Sequence, residues 1–135
     1  MPTKYLGKDV KIKSEKDIVR VRNAVYKVCE NLGMSTFNRT KIATAASELA
    51  RNIVEHAGEG RIIIIPLVTG QEGIQIIARD SGPGIDKDKL HDIFLGNYQS
   101  ETGMGMGLYG AKKLSDEFDI DSGADGTDVR MTKYK

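Results

Sequence analysis

Seven of the 15 glycines in this chain fall between Gly82 and Gly110. From Ser81 to Met106 the sequence carries no strand or helix period, apart from one short helical stretch over Lys87–Phe94. A loop of about 25 residues is uncommon in a compact domain unless it is a lid or a binding loop. The chain is 135 residues long, which fits one domain over residues 1–135. The remainder must therefore form a scaffold rigid enough to hold that loop.

The scaffold is legible from its periods. Lys8–Lys13 alternates Val10 and Ile12 against charges, the pattern of a short amphipathic strand. Ser14 offers an N-cap, with Asp17 in the capping-box position. Ile18, Val21, Val25, Val28 and Leu32 follow at helical spacing, and Gly33 supplies the stop. Cys29 lies on the same stripe and reads as a small core side chain. A second helix is predicted from Ser35 or Asn38 to His56, with Ile42, Ala45, Ala46, Leu49 and Ile53 on one side. Arg61–Val68 contains four consecutive isoleucines, which suits a strand buried on both faces. Pro66 near its end suggests an edge or a bulge. Gly73–Asp80 reads as a second buried strand. After the loop come a helix over Gly107–Phe118 and a closing hairpin, Asp119–Ser122 with Thr127–Lys133. This order predicts an α/β two-layer sandwich, with a mixed, largely antiparallel sheet and helices on one face.

Composition narrows the partners. Hydrophobic residues make up 39% of the chain, enough for a core without staples. Twenty Lys and Arg against 19 Asp and Glu leave a net charge of +1, so the counterion-displacing surplus of a nucleic-acid binder is absent. A single cysteine excludes an internal disulfide. No apolar run approaches a membrane span, and the start lacks a signal-peptide core. The expectation is a soluble, cytoplasmic protein with no nucleic-acid or membrane partner.

Three motifs carry chemistry. Glu48 and Asn52 are four apart on one predicted helix and project from the same side. Alone, such a pair is an ordinary surface feature. Asp80 ends a predicted strand and opens D-S-G-P-G, where Gly82 and Gly84 flank Pro83. That is either a tight turn or a place where a flat or charged ligand meets bare backbone. Asp80 could there accept a hydrogen bond from an exocyclic amine such as that of adenine. Gly103, Gly105 and Gly107 alternate before a helix that continues with Leu108. Amides at a helix N-terminus attract anions, phosphate above all. The run is no Rossmann fingerprint, because it follows a loop, and no Walker A loop, because no Gly-Lys-Ser/Thr occurs.

Taken together, Glu48–Asn52, Asp80–Gly84, a long loop, Gly103–Gly107 and the later Gly126-Thr127 resemble the ATP-binding (Bergerat) domain of the GHKL superfamily, to which gyrase, Hsp90, histidine kinases and MutL belong. Within it, S-E-L-A-R-N at Ser47–Asn52, A-R-D-S-G-P-G-I at Ala78–Ile85 and G-M-G-M-G-L-Y-G-A-K-K-L-S-D-E-F at Gly103–Phe118 are similar to the small serine/threonine kinases of bacterial sigma-factor pathways, in particular the stressosome switch-kinase type. The resemblance implies ATP and Mg²⁺ as cofactors, Asn52 as the metal ligand and Glu48 as general base. It implies Asp80, assisted by Thr127, for adenine selection, Gly82 and Gly84 beneath adenine and ribose, and Gly103, Gly105 and Gly107 with Leu108 around the phosphates. Residues 86–102 would be the ATP lid. The implied partners are STAS-domain scaffold and antagonist proteins of the RsbS and RsbR type, and a downstream regulatory enzyme bound on release.

Several residues lie outside these motifs. With no Walker lysine, Arg51, Lys87 and Lys89 are the cations near enough in sequence to meet a γ-phosphate, though each also reads as a solvated charge. His56 follows Asn52 by one turn and is either near the site or a helix-end imidazole. His91 has no evident role. Met104 and Met106 read as packing residues, and the acids from Asp116 to Asp128 as a solvated face. Two other functions compete with a kinase: a nucleotide-gated binding module such as an anti-sigma factor, and a detached histidine-kinase core. An intact base and metal ligand favour catalysis.

Overall fold

The computed structural model describes residues 6–95 and 104–135. The elements run β1 (Lys8–Ile12), α1 (Glu15–Leu32), α2 (Thr36–Asn52), a π-helical turn (Ile53–Ala57), β2 (Gly60–Leu67), β3 (Gly73–Asp80), α3 (Lys87–Phe94), α4 (Met104–Leu114), β4 (Glu117–Gly123) and β5 (Gly126–Tyr134). The five strands form one sheet in the order β1-β2-β3-β5-β4, and each of its pairings is antiparallel. The helices pack on one face, so the two-layer sandwich expected from the sequence is the observed architecture.

Helix α1 starts where its capping residues predict. The Asp17 carboxylate accepts from the backbone N–H of Lys13 at 2.8 Å and of Ser14 at 3.1 Å, and from Arg20 at 2.8 Å. The Lys13 amide first, and then the Arg20 guanidinium, hold Asp17 below the usual aspartate range. A carboxyl whose folded pKa is depressed stabilises the fold above its unfolded pKa, and that contribution disappears as pH falls through the folded value. We therefore expect the stability difference between wild type and Asp17→Asn to be constant at neutral pH and to shrink as pH drops below the usual aspartate range, read by urea denaturation at a series of pH values. A difference independent of pH would contradict this capping role.

The core is the seam between the helices and one sheet face. Val21 and Val25 of α1, Ile42 and Leu49 of α2, and Ile62, Ile64, Ile74 and Ile76 of the sheet are fully or almost fully buried. Each contributes about 1.5–3 kcal/mol. The four isoleucines depart from expectation. Ile62 and Ile64 lie under the helices, but Ile63 and Ile65 alternate to the uncovered face and are only half-buried. With helices on one side alone, a period of two decides burial and the isoleucine run does not. Pro66 sits beyond the register of β1, opposite Ile74 of β3, where β2 has a single neighbour and a missing N–H costs nothing.

Two helices differ in extent from the sequence reading. The α-helix predicted to reach His56 ends at Asn52 and widens into a π turn closed by Gly58 N–H to the Ile53 carbonyl at 2.8 Å. The last helix begins at Met104 and ends at Leu114, earlier than the Gly107–Phe118 span predicted. Packing of α4 against α2 draws Gly105 and Gly107 into helix despite their poor propensity. At the other end, Asp116 binds the last strand. Its N–H donates to the Thr132 carbonyl at 2.8 Å and its carboxylate accepts from the Tyr134 N–H at 2.7 Å. The chain therefore turns into β4 at Glu117.

Candidate functional site

Alanines set the geometry of the site. Ala43, Ala45, Ala46 and Ala50 of α2 are buried, and their small side chains let both α1 and α4 approach the helix. Gly107 completes the contact. A β-carbon there would lie 3.2 Å from Asn52 Oδ1, 3.3 Å from Asn52 Nδ2 and 3.3 Å from Glu48 Oε2. The first and third sequence motifs thus meet at one point, with bare helical backbone over a carboxylate and an amide. Asn52 Nδ2 is buried there without a hydrogen-bond partner. Glu48 is half-exposed, and its Oε1 accepts from Arg51 Nη1 at 2.6 Å.

The π turn after Asn52 brings His56 to the same cavity. π-turns inside helices recur at functional sites because the extra residue re-aims the following side chains. His56 Nε2 is buried with no hydrogen-bond partner, and its nearest acid, Glu55, lies 3.8 Å away. Sequence alone leaves His56 between two readings. The signal that decides it, the widened turn, is invisible in residue spacing.

Asp80 stands at the end of β3, opposite Thr127 in the register. Its Oδ1 accepts from the Gly82 N–H at 2.9 Å, which fixes the carboxylate in an Asx-type turn. A cavity opens between α2, the π turn and the sheet. Leu49, Ala78, Leu108 and Val129 supply apolar walls, and Asn52, His56, Asp80 and Thr127 supply polar groups. Apolar walls with a few convergent polar groups suit a flat ligand.

The turn after Asp80 is tied to the closing hairpin. Gly84 has φ +76°, and a β-carbon there would run into the Gly123 carbonyl oxygen. Ser122 Oγ accepts from the Ile85 N–H at 2.8 Å and contacts Thr127 Oγ1 at 2.7 Å. Ser122 and Ile85 thus connect the start of the predicted lid to Thr127. Sequence reasoning misses both, because only the hairpin register places Ser122 opposite Thr127.

The remaining predicted residues divide cleanly. Gly82 packs against Ala57 at the cavity rim. Gly105 lies in the first turn of α4, and Leu108 faces the cavity. Gly103 and the lid residues 96–102 lie outside the described residues; α3, capped by Asp86 Oδ1 accepting from the Asp88 N–H at 2.8 Å, is the described part of that segment. Arg51 is paired to Glu48 and lines a separate groove against α1. Lys87 is exposed and Lys89 is partly buried, and neither lines the cavity. Glu117, Asp119 and Asp121 alternate to solvent along β4, while Asp128 pairs with Arg79 at 2.9 Å. Among the described residues no helix is long and apolar enough to cross a membrane.

Comparison with known proteins agrees with this fold. The chain is 40% identical over 127 residues to the serine/threonine-protein kinase RsbT of Bacillus subtilis, covering 93% of this chain and 94% of that one. It is 35% identical over 99 residues to the anti-sigma F factor of Caldanaerobacter subterraneus subsp. tengcongensis, covering 69% of this chain and 68% of the relative. Its fold is similar to the histidine kinase domain of the Erythrobacter litoralis EL346 blue-light activated histidine kinase, with a TM-score of 0.55, 17% identity, and coverage of 92% of this chain and 67% of that one. The histidine kinase-like ATPase domain model matches residues 12–133, and the chain belongs to that family.

Proposed function

We propose that this protein is an ATP- and Mg²⁺-dependent protein serine/threonine kinase. The observation that carries the reading is the convergence of Glu48 Oε2 and Gly107 on the unpartnered amide of Asn52, which itself lines the cavity. A structural Glu–Asn pair has no need of a glycine backbone pressed onto it.

The residues fit the cofactors. Mg²⁺ takes oxygen ligands and needs only one or two from protein when phosphates supply the rest. Asn52, its side-chain oxygen turned to Gly107, would be that ligand. When bound, the ion would neutralise charge on the phosphates. The amides around Gly103, Gly105 and Gly107 would hold the phosphates at the start of α4. Asp80, fixed by the Gly82 amide, would accept from the adenine amino group through its free oxygen, with Thr127 held beside it by Ser122. Gly82 and Gly84 would pass beneath base and ribose, and Leu49 and Leu108 would pack on the ring. Glu48 Oε2 would take the proton of the attacking hydroxyl as its oxygen bonds to the γ-phosphorus and the bond to the bridging oxygen of ADP breaks.

The substrates we propose are STAS-domain proteins of the RsbS and RsbR type, with a downstream regulatory enzyme as second partner and the cytoplasm as location. The similarity to RsbT over nearly the whole chain supports this. The similarity to an anti-sigma factor supports a second reading, a nucleotide-gated binding module with little catalysis.

The nucleotide assignment has a direct test. Asp80→Asn sets a donor against the adenine amino group and leaves a buried polar group unpaired, which costs about 1–3 kcal/mol. ATP affinity measured by calorimetry should fall about tenfold or more. Unchanged affinity, or a wild-type preference for GTP, would contradict the role given to Asp80.

A further inference from the structure

Ser122 stands on the half-buried side of β4, outside the lining of the nucleotide cavity. Its Oγ accepts from the Ile85 N–H at 2.8 Å and contacts Thr127 Oγ1 at 2.7 Å. Thr127 does line the cavity, opposite Asp80 in the register of β3 and β5. Ser122 lies one strand further out, opposite Thr127. The backbone along this row is tightly packed. A β-carbon at Gly126 would run into the Asp80 carbonyl oxygen, and the Asp80 carboxylate is itself held by the Gly82 N–H at 2.9 Å. Asp80, Thr127, Ser122 and Ile85 are thus fixed in one line.

The protons give this line a direction. A serine hydroxyl has one proton to donate and two lone pairs to accept with. The Ile85 amide can only donate, so it takes one lone pair of Ser122. One proton lies between Ser122 and Thr127, and either hydroxyl can supply it. If Thr127 supplies it, Ser122 accepts twice, and its own proton has no acceptor among the described residues. If Ser122 supplies it, that proton is satisfied and the Thr127 proton is left to turn into the cavity. A donor shut away from water without an acceptor is costly. The second arrangement therefore wins wherever the ligand offers Thr127 an acceptor. The order becomes Ile85 N–H to Ser122, Ser122 O–H to Thr127, and Thr127 O–H to the ligand. The Asp80 carboxylate beside it can only accept. The polar edge of the cavity then presents one acceptor and one donor side by side.

We propose that Ser122 is a positioning residue for purine selection, and that it acts by fixing the Thr127 hydroxyl as a donor. The matching ligand edge is an exocyclic amine next to an unprotonated ring nitrogen, the edge of a 6-amino purine. A 6-oxo purine presents the reverse, an oxygen acceptor next to a protonated nitrogen. It would turn the Thr127 hydroxyl round and strand the Ser122 proton. The inference rests on the nucleotide reading above and deepens it. Ser122 touches no part of the nucleotide in this scheme. It sets the polarity of the residue that does.

The test is calorimetric and needs no acceptor protein. The full chain is titrated with ATP, with inosine triphosphate, whose base is a 6-oxo purine, and with 1-deaza-ATP, in which C–H replaces the ring nitrogen. The wild type should bind ATP about tenfold more tightly than 1-deaza-ATP, the worth of one hydrogen bond, and should bind inosine triphosphate more weakly than ATP. Ser122→Ala leaves the Thr127 hydroxyl free to rotate. It should weaken ATP about tenfold and leave 1-deaza-ATP unchanged, so that the two ligands become level. The preference for ATP over inosine triphosphate should shrink by about the same factor. Ser122→Thr keeps the hydroxyl and should restore both differences. An equal loss of all three ligands in Ser122→Ala would make Ser122 a purely structural residue. A gap between ATP and 1-deaza-ATP as wide in Ser122→Ala as in the wild type would mean that the two changes are independent, and would overturn the proposal. Equal binding of ATP and 1-deaza-ATP by the wild type would overturn it while leaving the nucleotide reading intact. A wild type that binds no ATP would sink that reading, and the role of Ser122 with it.

Discussion

Glu48→Gln should lower phosphoryl transfer by about 10²–10⁴, the usual worth of a positioned general base, while ATP binding and partner co-elution survive. The Arg51 contact explains why this substitution is clean. A guanidinium can only donate, so it selects the oxygen of the introduced side-chain amide and keeps that side chain in place. The NH₂ then occupies the position of Oε2, facing Gly107, where it cannot accept a proton. Geometry is preserved and basicity is removed. Transfer assays and size-exclusion co-elution on this one variant separate the two leading functions. Retained transfer would remove the base assignment, and lost co-elution would show that Glu48 also serves the partner surface.

Asn52→Ala should abolish Mg²⁺-dependent transfer and weaken ATP binding only when Mg²⁺ is present. The fold should tolerate the change. Asn52 Nδ2 has no partner to lose, and alanine is the better helix former. Thermal stability should therefore stay level or rise slightly as activity disappears. A side chain kept at the expense of stability is the signature of a functional residue. Equal loss of ATP affinity with and without Mg²⁺ in calorimetry would instead make Asn52 a structural residue.

How much of this is legible in the sequence follows from the physics of each feature. The α1 stripe, its Ser14 and Gly33 boundaries and the span Lys87–Phe94 of α3 are all readable, because caps and a 3.6-residue period are local properties. The Glu48–Asn52 pair is readable for the same reason. Gly107 is readable as a glycine but not as the residue pressed against that pair, since this contact is made by the packing of α4 on α2. The π turn is hidden because its residues, Ile53 to Ala57, have ordinary helical character. Arg51 reads as one of several cations for a phosphate. Its pairing with Glu48 three residues back turns it from the cavity, which spacing permits but does not require. Ser122 and Ile85 are joined across 37 positions of sequence, a separation that only the folded hairpin spans. Ile63 and Ile65 look doubly buried in sequence because the run of isoleucines hides which sheet face the helices leave open.

The central claim is phosphoryl transfer from ATP to a hydroxyl, carried out in the Glu48–Asn52–Gly107 cradle. The most direct measurement incubates the wild-type protein with γ-labelled ATP, Mg²⁺ and an RsbS-type STAS acceptor, then tests the product in acid and in alkali. The account predicts labelled acceptor whose phosphate resists acid and is released by alkali, as a serine or threonine ester is, with the rate of labelling about 10²–10⁴-fold lower when Glu48→Gln replaces the wild type. An acid-labile, alkali-stable phosphate on histidine, or ATP binding with no transfer at all, would contradict it.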